Sequence, residues 1–426
     1  MEDLPCACGG DAAGTERARG DGGALAEVRR ETMGEMLNAP MPSGGLPGEA
    51  GGQVNEGMVP GGRTRCHRLV TRPGSNAMKS ITWPVSPPYS VPMTIQHVAH
   101  EAGVSVATVS RVFNTPEKVM PATRAAVLGA AERLGYVPNA TARTLRTQRS
   151  HVIGVVLPTL LNPVFAECLD GIAQAAARGG YAILPFTTSY AVAQEERAVH
   201  LLLAGNVDGM VLVVSQPRSS AALERLAAVQ LPYVLAYNRH PDHPCVSVDG
   251  EGAVAELIAQ LAALGHRRIA MVSGQLAASD RAQQRCRGFV RGMAQAGLAP
   301  ARVVEVPFVE TAVQEVAELL RGPQRPTALV CSNDLIAIRC LRAAHMAGLQ
   351  VPRDLSVVGF DGIALGRELT PVLGTVAQPN ADIGRCSVEL LIQAMAWHVP
   401  PTPEASLTLP HHFRAGGSCA AAPGGD

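Results

Sequence analysis

No two of the ten cysteines stand at the C-x-x-C spacing of a zinc ribbon or a redox motif, and 426 residues are too many to need a disulfide framework. The cysteines read as reduced, mostly buried thiols. No run of 18 apolar residues exists, which excludes a transmembrane helix by sequence pattern. The start, Met1-Glu2-Asp3, lacks the basic region and apolar core of a secretory signal, so a cytoplasmic location is expected. Net charge is missing too: 36 Lys+Arg balance 36 Asp+Glu, and the total points to no partner. Catalytic signatures are also absent. There is no nucleophile elbow, no Gly-rich phosphate loop opening a helix and no cluster of metal ligands. Gly20–Gly23 (GDGG) lacks the strand and helix that a phosphate loop needs. Cys6-x-Cys8 and the adjacent His411 and His412 are too few for a metal site. No enzyme activity, cofactor or metal is expected.

The first 92 residues differ from the rest. They hold 16 Gly and 10 Pro and show neither helical nor strand periodicity. Two readings stand side by side: a disordered extension, or sequence upstream of a start at Met93.

Order is expected from Thr94. In TIQHVAHEAG, Thr94 is a helix N-cap, Ile95, Val98 and Ala99 share a face, and Gly103 stops the helix. Ser105 caps a second helix, Val106–Phe113, which Asn114 and Pro116 end. A third starts near Pro121 and stops at Gly135. Between Met93 and Ser150, seven Lys/Arg (Arg111, Lys118, Arg124, Arg133, Arg143, Arg146, Arg149) oppose three acids (Glu101, Glu117, Glu132). Local positive excess suits a partner that carries phosphates. Helix, tight turn, capped helix and third helix make a helix-turn-helix, whose second helix enters the major groove. Val109 and Val112 would pack inward, and Val106 and Ala107 would face base edges. An ordinary three-helix packing unit is the plainer alternative.

From His151 the rhythm changes. Apolar runs (Val152–Leu157, Ala182–Phe186, Gly209–Val214, Tyr233–Ala236, Ile269–Ser273, Val303–Val306, Ala328–Cys331, Ser356–Phe360) alternate with helical stretches. Those stretches are Phe165–Arg178, Glu195–Leu203, Ala221–Ala228, Ala253–Leu264, Cys286–Ala296, Val313–Leu320 and Leu335–Ala347. Buried strands alternating with helices predict parallel sheets, here two lobes with a cleft at the carboxyl ends of the strands.

TIQHVAHEAGVSVATVSRVFN resembles the DNA-binding signature of the lactose-repressor/galactose-repressor family. RAAVLGAAERLGYVPNATARTL is similar to that family's third helix and hinge. The resemblance continues through VIGVVLP, VDGMVLV, LAALGHRRIAMVSG, RCRGFVRGM, ALVCSNDLIAIRCLRAA and VPRDLSVVGFD to about Phe413, roughly three-quarters of the chain. It implies a DNA-binding domain over 93–138, a hinge over 139–150 and a two-lobed effector and dimerisation domain over 151–414 resembling a periplasmic sugar-binding protein; composition adds a disordered Gly/Pro-rich extension over 1–92 and a disordered, Gly-rich tail over 415–426.

The resemblance also implies roles. Val106 and Ala107 match the base-reading pair. Thr94, Ser105, Thr108, Ser110 and Asn114 match backbone-contacting positions, and Arg111 the arginine that follows them. Asn139, Ala142 and Leu145 fall in the hinge helix, where the leucine wedges into the minor groove beside that of a dimer mate. Phe165, Asp249, Arg285, Asn333, Asp334 and Asp361 match the effector cleft. Carboxylates, amides and an arginine around an aromatic ring suit a polyhydroxylated ligand. Asn333 and Asp334 are equally placed to cap the helix that follows them, and Phe165 to be core. One departure stands out: Gly362 follows Asp361 where the family often has a second acid.

The expected partners are a near-palindromic double-stranded DNA operator at the nucleoid, a sugar or sugar-acid effector and a second copy of the chain, with no membrane. The expected function is a transcriptional regulator, a repressor, whose operator affinity a small polar ligand controls. A secreted binding protein would have no use for the helix-turn-helix. A sugar-sensing module without regulatory output is the remaining alternative. The C-terminal HHFRAGGSCAAAPGGD has no leucine heptad, so no tetramer built by such a tail is expected.

Overall fold

A computed structural model describes residues 93–137, 149–299, 302–308 and 313–424. The extension over 1–92 and the hinge positions Asn139, Ala142 and Leu145 lie outside the described residues.

The N-terminal unit has helices Ile95–Glu101, Val106–Asn114 and Pro121–Leu134. Gly103 turns between the first two with φ +63°, a backbone region that favours glycine. Gly135 closes the third helix in the same left-handed region. The core is small: Val98, Val109, Val127 and Ala130 are fully buried, with Ala99, Val112 and Ala131 beside them. An exposed pair, Arg133 and Glu101 at 3.1 Å, ties the third helix to the first.

The remainder forms two lobes, each on a six-stranded sheet. The first sheet runs in the order Leu407–Leu409, Cys245–Val248, Tyr233–Ala236, Gly209–Leu212, Val152–Leu157, Ala182–Thr187, all parallel. The second runs His412–Arg414, Gly374–Ala377, Ser356–Asp361, Ala328–Cys331, Ile269–Gly274, Arg302–Val306, parallel except for its first strand. The chain passes between the lobes three times, after Val248, Ala377 and Leu409.

Among the described residues every predicted strand and helix is present, several with shifted ends. Five elements lie outside the predicted pattern: strands Cys245–Val248, Gly374–Ala377, Leu407–Leu409 and His412–Arg414, and helix Asn380–Trp397. None of these four strands is a continuous apolar run: CVSV, GTVA, LTL and HFR each carry a polar residue. The helix begins behind Pro379 with no side-chain cap and carries an internal glycine, so its start signal is missing. That glycine has a purpose. A Cβ on Gly384 would meet the Cys168 carbonyl oxygen at 2.2 Å, so two helix backbones touch there.

The tail is a correction. Residues 415–424 are ordered rather than disordered. Ser418 is fully buried; its Oγ accepts from Gly374 N and donates to Val357 O, and Ala422 N donates to Leu264 O. Small residues there serve close approach. A Cβ on Gly416 would meet Val372 O at 2.5 Å.

Candidate functional site

Ser105 caps the second helix: its Oγ accepts from Thr108 N at 3.1 Å and meets Thr108 Oγ1 at 2.9 Å. Val109 and Val112 turn inward. Val106 (42% exposed) and Ala107 open the first turn on the solvent side. Thr94, Thr108, Ser110, Arg111 and Asn114 are also unburied. Asn114 Nδ2 donates back to Ser110 O, closing the helix end, and Thr94 N donates to His97 Nδ1 at 3.1 Å. The helix therefore offers solvent two small apolar side chains beside exposed hydroxyl- and amide-bearing ones, a combination suited to major-groove contact. Ser105→Ala is expected to cost about 1 kcal/mol of this unit's stability, read as a lowered unfolding midpoint of its own transition.

The second constellation lies at the carboxyl ends of the strands, between the lobes. Asp361 ends the strand Ser356–Asp361 with φ +121°, strained for a residue with a side chain. It is 2% exposed; Arg285 Nη2 stands 3.2 Å from Oδ1, and Gln378 Nε2 donates to the same oxygen at 2.9 Å. Arg285 comes from helix Asp280–Gln295, donates to Ser332 O and lies over the Phe360 ring at 3.7 Å. Phe165 meets Tyr237 edge-on at 5.8 Å. Asn333 keeps both readings: its Oδ1 caps helix Asp334–Met346 through Ile336 N at 2.8 Å, and its side of the helix lines the pocket.

Phe165, Arg285, Asn333 and Asp361 line one pocket. Asp334 and Asp249 do not. Asp334, fully buried, accepts from Thr375 Oγ1 at 2.6 Å and Ile363 N at 2.9 Å, and so fixes the floor beneath. Asp249 caps helix Gly250–Ala263 and pairs with Arg239 at 3.4 Å. The pocket also takes in Tyr190, Arg281 and Phe308, which sequence reasoning missed. Arg281 hides in a polar first turn, DRAQQR, where no apolar period marks the helix. Tyr190 and Phe308 follow strands of different lobes and stack at 4.3 Å with planes 8° apart, bridging the lobes. The pocket is narrow, and the stacked rings of Tyr190 and Phe308 stand among its lining. The second acid missing after Asp361 also has a reason: a side chain on Gly362 would strike Ala377 Cα at 2.7 Å.

Burial pushes the Asp334 carboxyl up to about 7, with repulsion from Asp361 adding to it. Burial raises Asp361 to about 6, against the pull of Arg285. Unfolded carboxyls ionise near 4, so between about 4 and 7 the folded chain holds more protons than the unfolded one. That contribution is fully present at acid pH and is lost as pH rises through the folded values. Denaturation midpoints measured from pH 5 to 8 should fall with rising pH, and Asp334→Asn should flatten the fall. A slope unchanged by that substitution would contradict the assignment.

Comparison with known proteins fits this geometry. Residues 94–139 match the family model of bacterial regulatory proteins, lacI family, and residues 258–419 match the periplasmic binding protein-like domain. Catabolite control protein A of Priestia megaterium is 35% identical over 312 residues, 71% of this chain and 92% of that one. The chain belongs to the lacI family. It is a DNA-binding transcriptional regulator and not an enzyme. Among solved structures, the Lac repressor dimer bound to operator and the anti-inducer ONPF superposes with TM-score 0.70 at 28% identity, over 78% of this chain and all of that one. A CelR–cellobiose complex superposes with TM-score 0.57 at 27% identity, over 76% of this chain and 99% of that one. No described helix of this family member is long and apolar enough to cross a membrane.

Proposed function

We propose that this lacI-family chain is a repressor that binds a near-palindromic operator as a homodimer and answers to a sugar or sugar acid held between its lobes. The carrying observation is the capped second helix, with Val106 and Ala107 exposed on its first turn and Val109 and Val112 locked beneath. Thr94, Ser105, Thr108, Ser110, Arg111 and Asn114 hold the phosphate backbone, and Val106 with Ala107 read bases. Asn139, Ala142 and Leu145 extend the contact as hinge, with Leu145 wedged in the minor groove. Residues 93–138 form the reading domain, 139–150 the hinge and 151–414 the effector and dimerisation domain, and the chain works at the nucleoid.

Phe165, Arg285, Asn333 and Asp361 hold the ligand, and Asp334 shapes the loop beside it. Response follows from a population shift. A ligand that parts Tyr190 from Phe308 has a different affinity for the two lobe arrangements, and that difference sets how far operator affinity moves. Solved relatives support both halves: one is a repressor dimer on operator, another a complex with cellobiose.

Selection of preferred sites from random DNA tests the reading head. Full-length protein should enrich a near-palindrome. Exchanging Val106 and Ala107 for other small residues should change the preferred bases more than the salt dependence. A uniform loss of affinity with unchanged preference would overturn the base-reading assignment.

A further inference from the structure

Arg281 lies one helical turn before Arg285 and is 7% exposed. Its Nη1 is occupied, donating to Val214 O at 2.8 Å and to Asp280 Oδ1 at 3.1 Å. Its Nη2 is buried and has no hydrogen-bond partner. The neighbouring carboxylate does not serve it. Asp280 already accepts from Asn238 at 2.6 Å and Gln284 at 3.0 Å. Two other buried side-chain atoms among the described residues share this condition, Thr188 Oγ1 and Arg414 Nε, but neither residue lines the inter-lobe pocket, whereas Arg281 does. Arg285, by contrast, is committed to Asp361 and Ser332.

A guanidinium stays charged and can only donate, so this Nη2 is a desolvated cationic donor on a side chain that lines the ligand space. Its best complement is an oxygen that only accepts and carries negative charge, because charge-assisted bonds are roughly twice as strong as neutral ones. A sugar hydroxyl accepts as well, but brings a proton that must itself be placed.

We propose that Arg281 determines specificity in the cleft, and that the effector carries an anionic oxygen group, a carboxylate or phosphate, on a polyhydroxylated frame. The proposal rests on the effector reading above. Two further features agree with it. Burial raises the Asp334 carboxyl beside the pocket, which then holds less negative charge than an ordinary carboxylate and softens the repulsion an anion meets, while Asp361 is balanced by Arg285. Arg281 also sits on the seam: its helix belongs to the second lobe and Val214 O to the first. An anion on Nη2 therefore acts where the lobes are joined.

Titration calorimetry on the full chain tests this with compounds that share a ring and differ at C6: glucose, glucuronate and glucose 6-phosphate, and the same set built on galactose. At least one anion should bind about tenfold or more tighter than its neutral parent, and which of the two anions does so separates carboxylate from phosphate. Arg281→Gln should bring the ratio of anion affinity to neutral-parent affinity, both measured on the same variant, close to one, whatever it does to either affinity alone. Arg281→Lys, which keeps the charge, should retain part of the preference and guards against a folding defect, with the ligand-free unfolding midpoint as a further check. Neutral sugars that bind as tightly as both anions, or a glutamine variant that keeps the preference, would overturn the role of Arg281 and leave the effector cleft standing. No binding by any of these compounds would overturn the effector reading itself.

Discussion

Asp361→Ala is expected to destabilise the two-lobed domain by about 3–5 kcal/mol, because it strands a buried arginine without its counter-ion. Arg285 is 8% exposed, and the carboxylate that would be lost also accepts from Gln378. Alanine does not relieve the strain at φ +121°, since it keeps a Cβ there. Urea denaturation reads the loss; a change below about 1 kcal/mol would show that the pair is not held as described. Asp361→Asn keeps the shape and one acceptor, and should cost less. The same variant separates stability from function: properly folded Asp361→Asn should bind operator but lose its response to ligand. A carboxylate expected only to contact the ligand is also part of what holds the second lobe together.

Val109→Asp is expected to abolish operator binding altogether. Val109 is fully buried in a core of seven small side chains. A carboxylate without a partner there costs several kcal/mol, and a unit of some 45 residues has little stability to lose. The two-lobed domain has its own cores and should unfold at an unchanged temperature. Val106→Asp makes the contrast: with Val106 at 42% exposure the unit should stay folded, and affinity should fall through repulsion of DNA phosphates. Circular dichroism beside fluorescence anisotropy distinguishes the two outcomes. If Val109→Asp still bound DNA, the packing of the second helix would be misassigned.

The reading head was legible because its signals are local. A cap, a turn glycine and two inward valines fall within the ten residues Gly103–Val112, and each acts on its immediate neighbours. The alternating sheet pattern was legible for a related reason, since buried strands must be apolar along their length. The cleft was legible only in part. Phe165, Arg285, Asn333 and Asp361 follow from the family resemblance and lie together. Asp249 matched in sequence but caps a helix beside Arg239. Tyr190 and Phe308 are more than a hundred residues apart and meet because two lobes fold against each other. The tail misled because small residues read as disorder when considered alone.

The three-helix unit and the two largely parallel sheets could be read along the chain, since propensity, capping and periodicity are properties of short stretches, and the family followed from the resemblance of its motifs. Which polar groups are sealed from water emerged with the packing of the whole chain. It closed the aromatic pair over the cleft, spent Arg285 on Asp361 and left one nitrogen of Arg281 bare. Burial depends on what packs from distant parts of the chain, and a hydrogen-bond donor is answered or unanswered only when everything around it is in place.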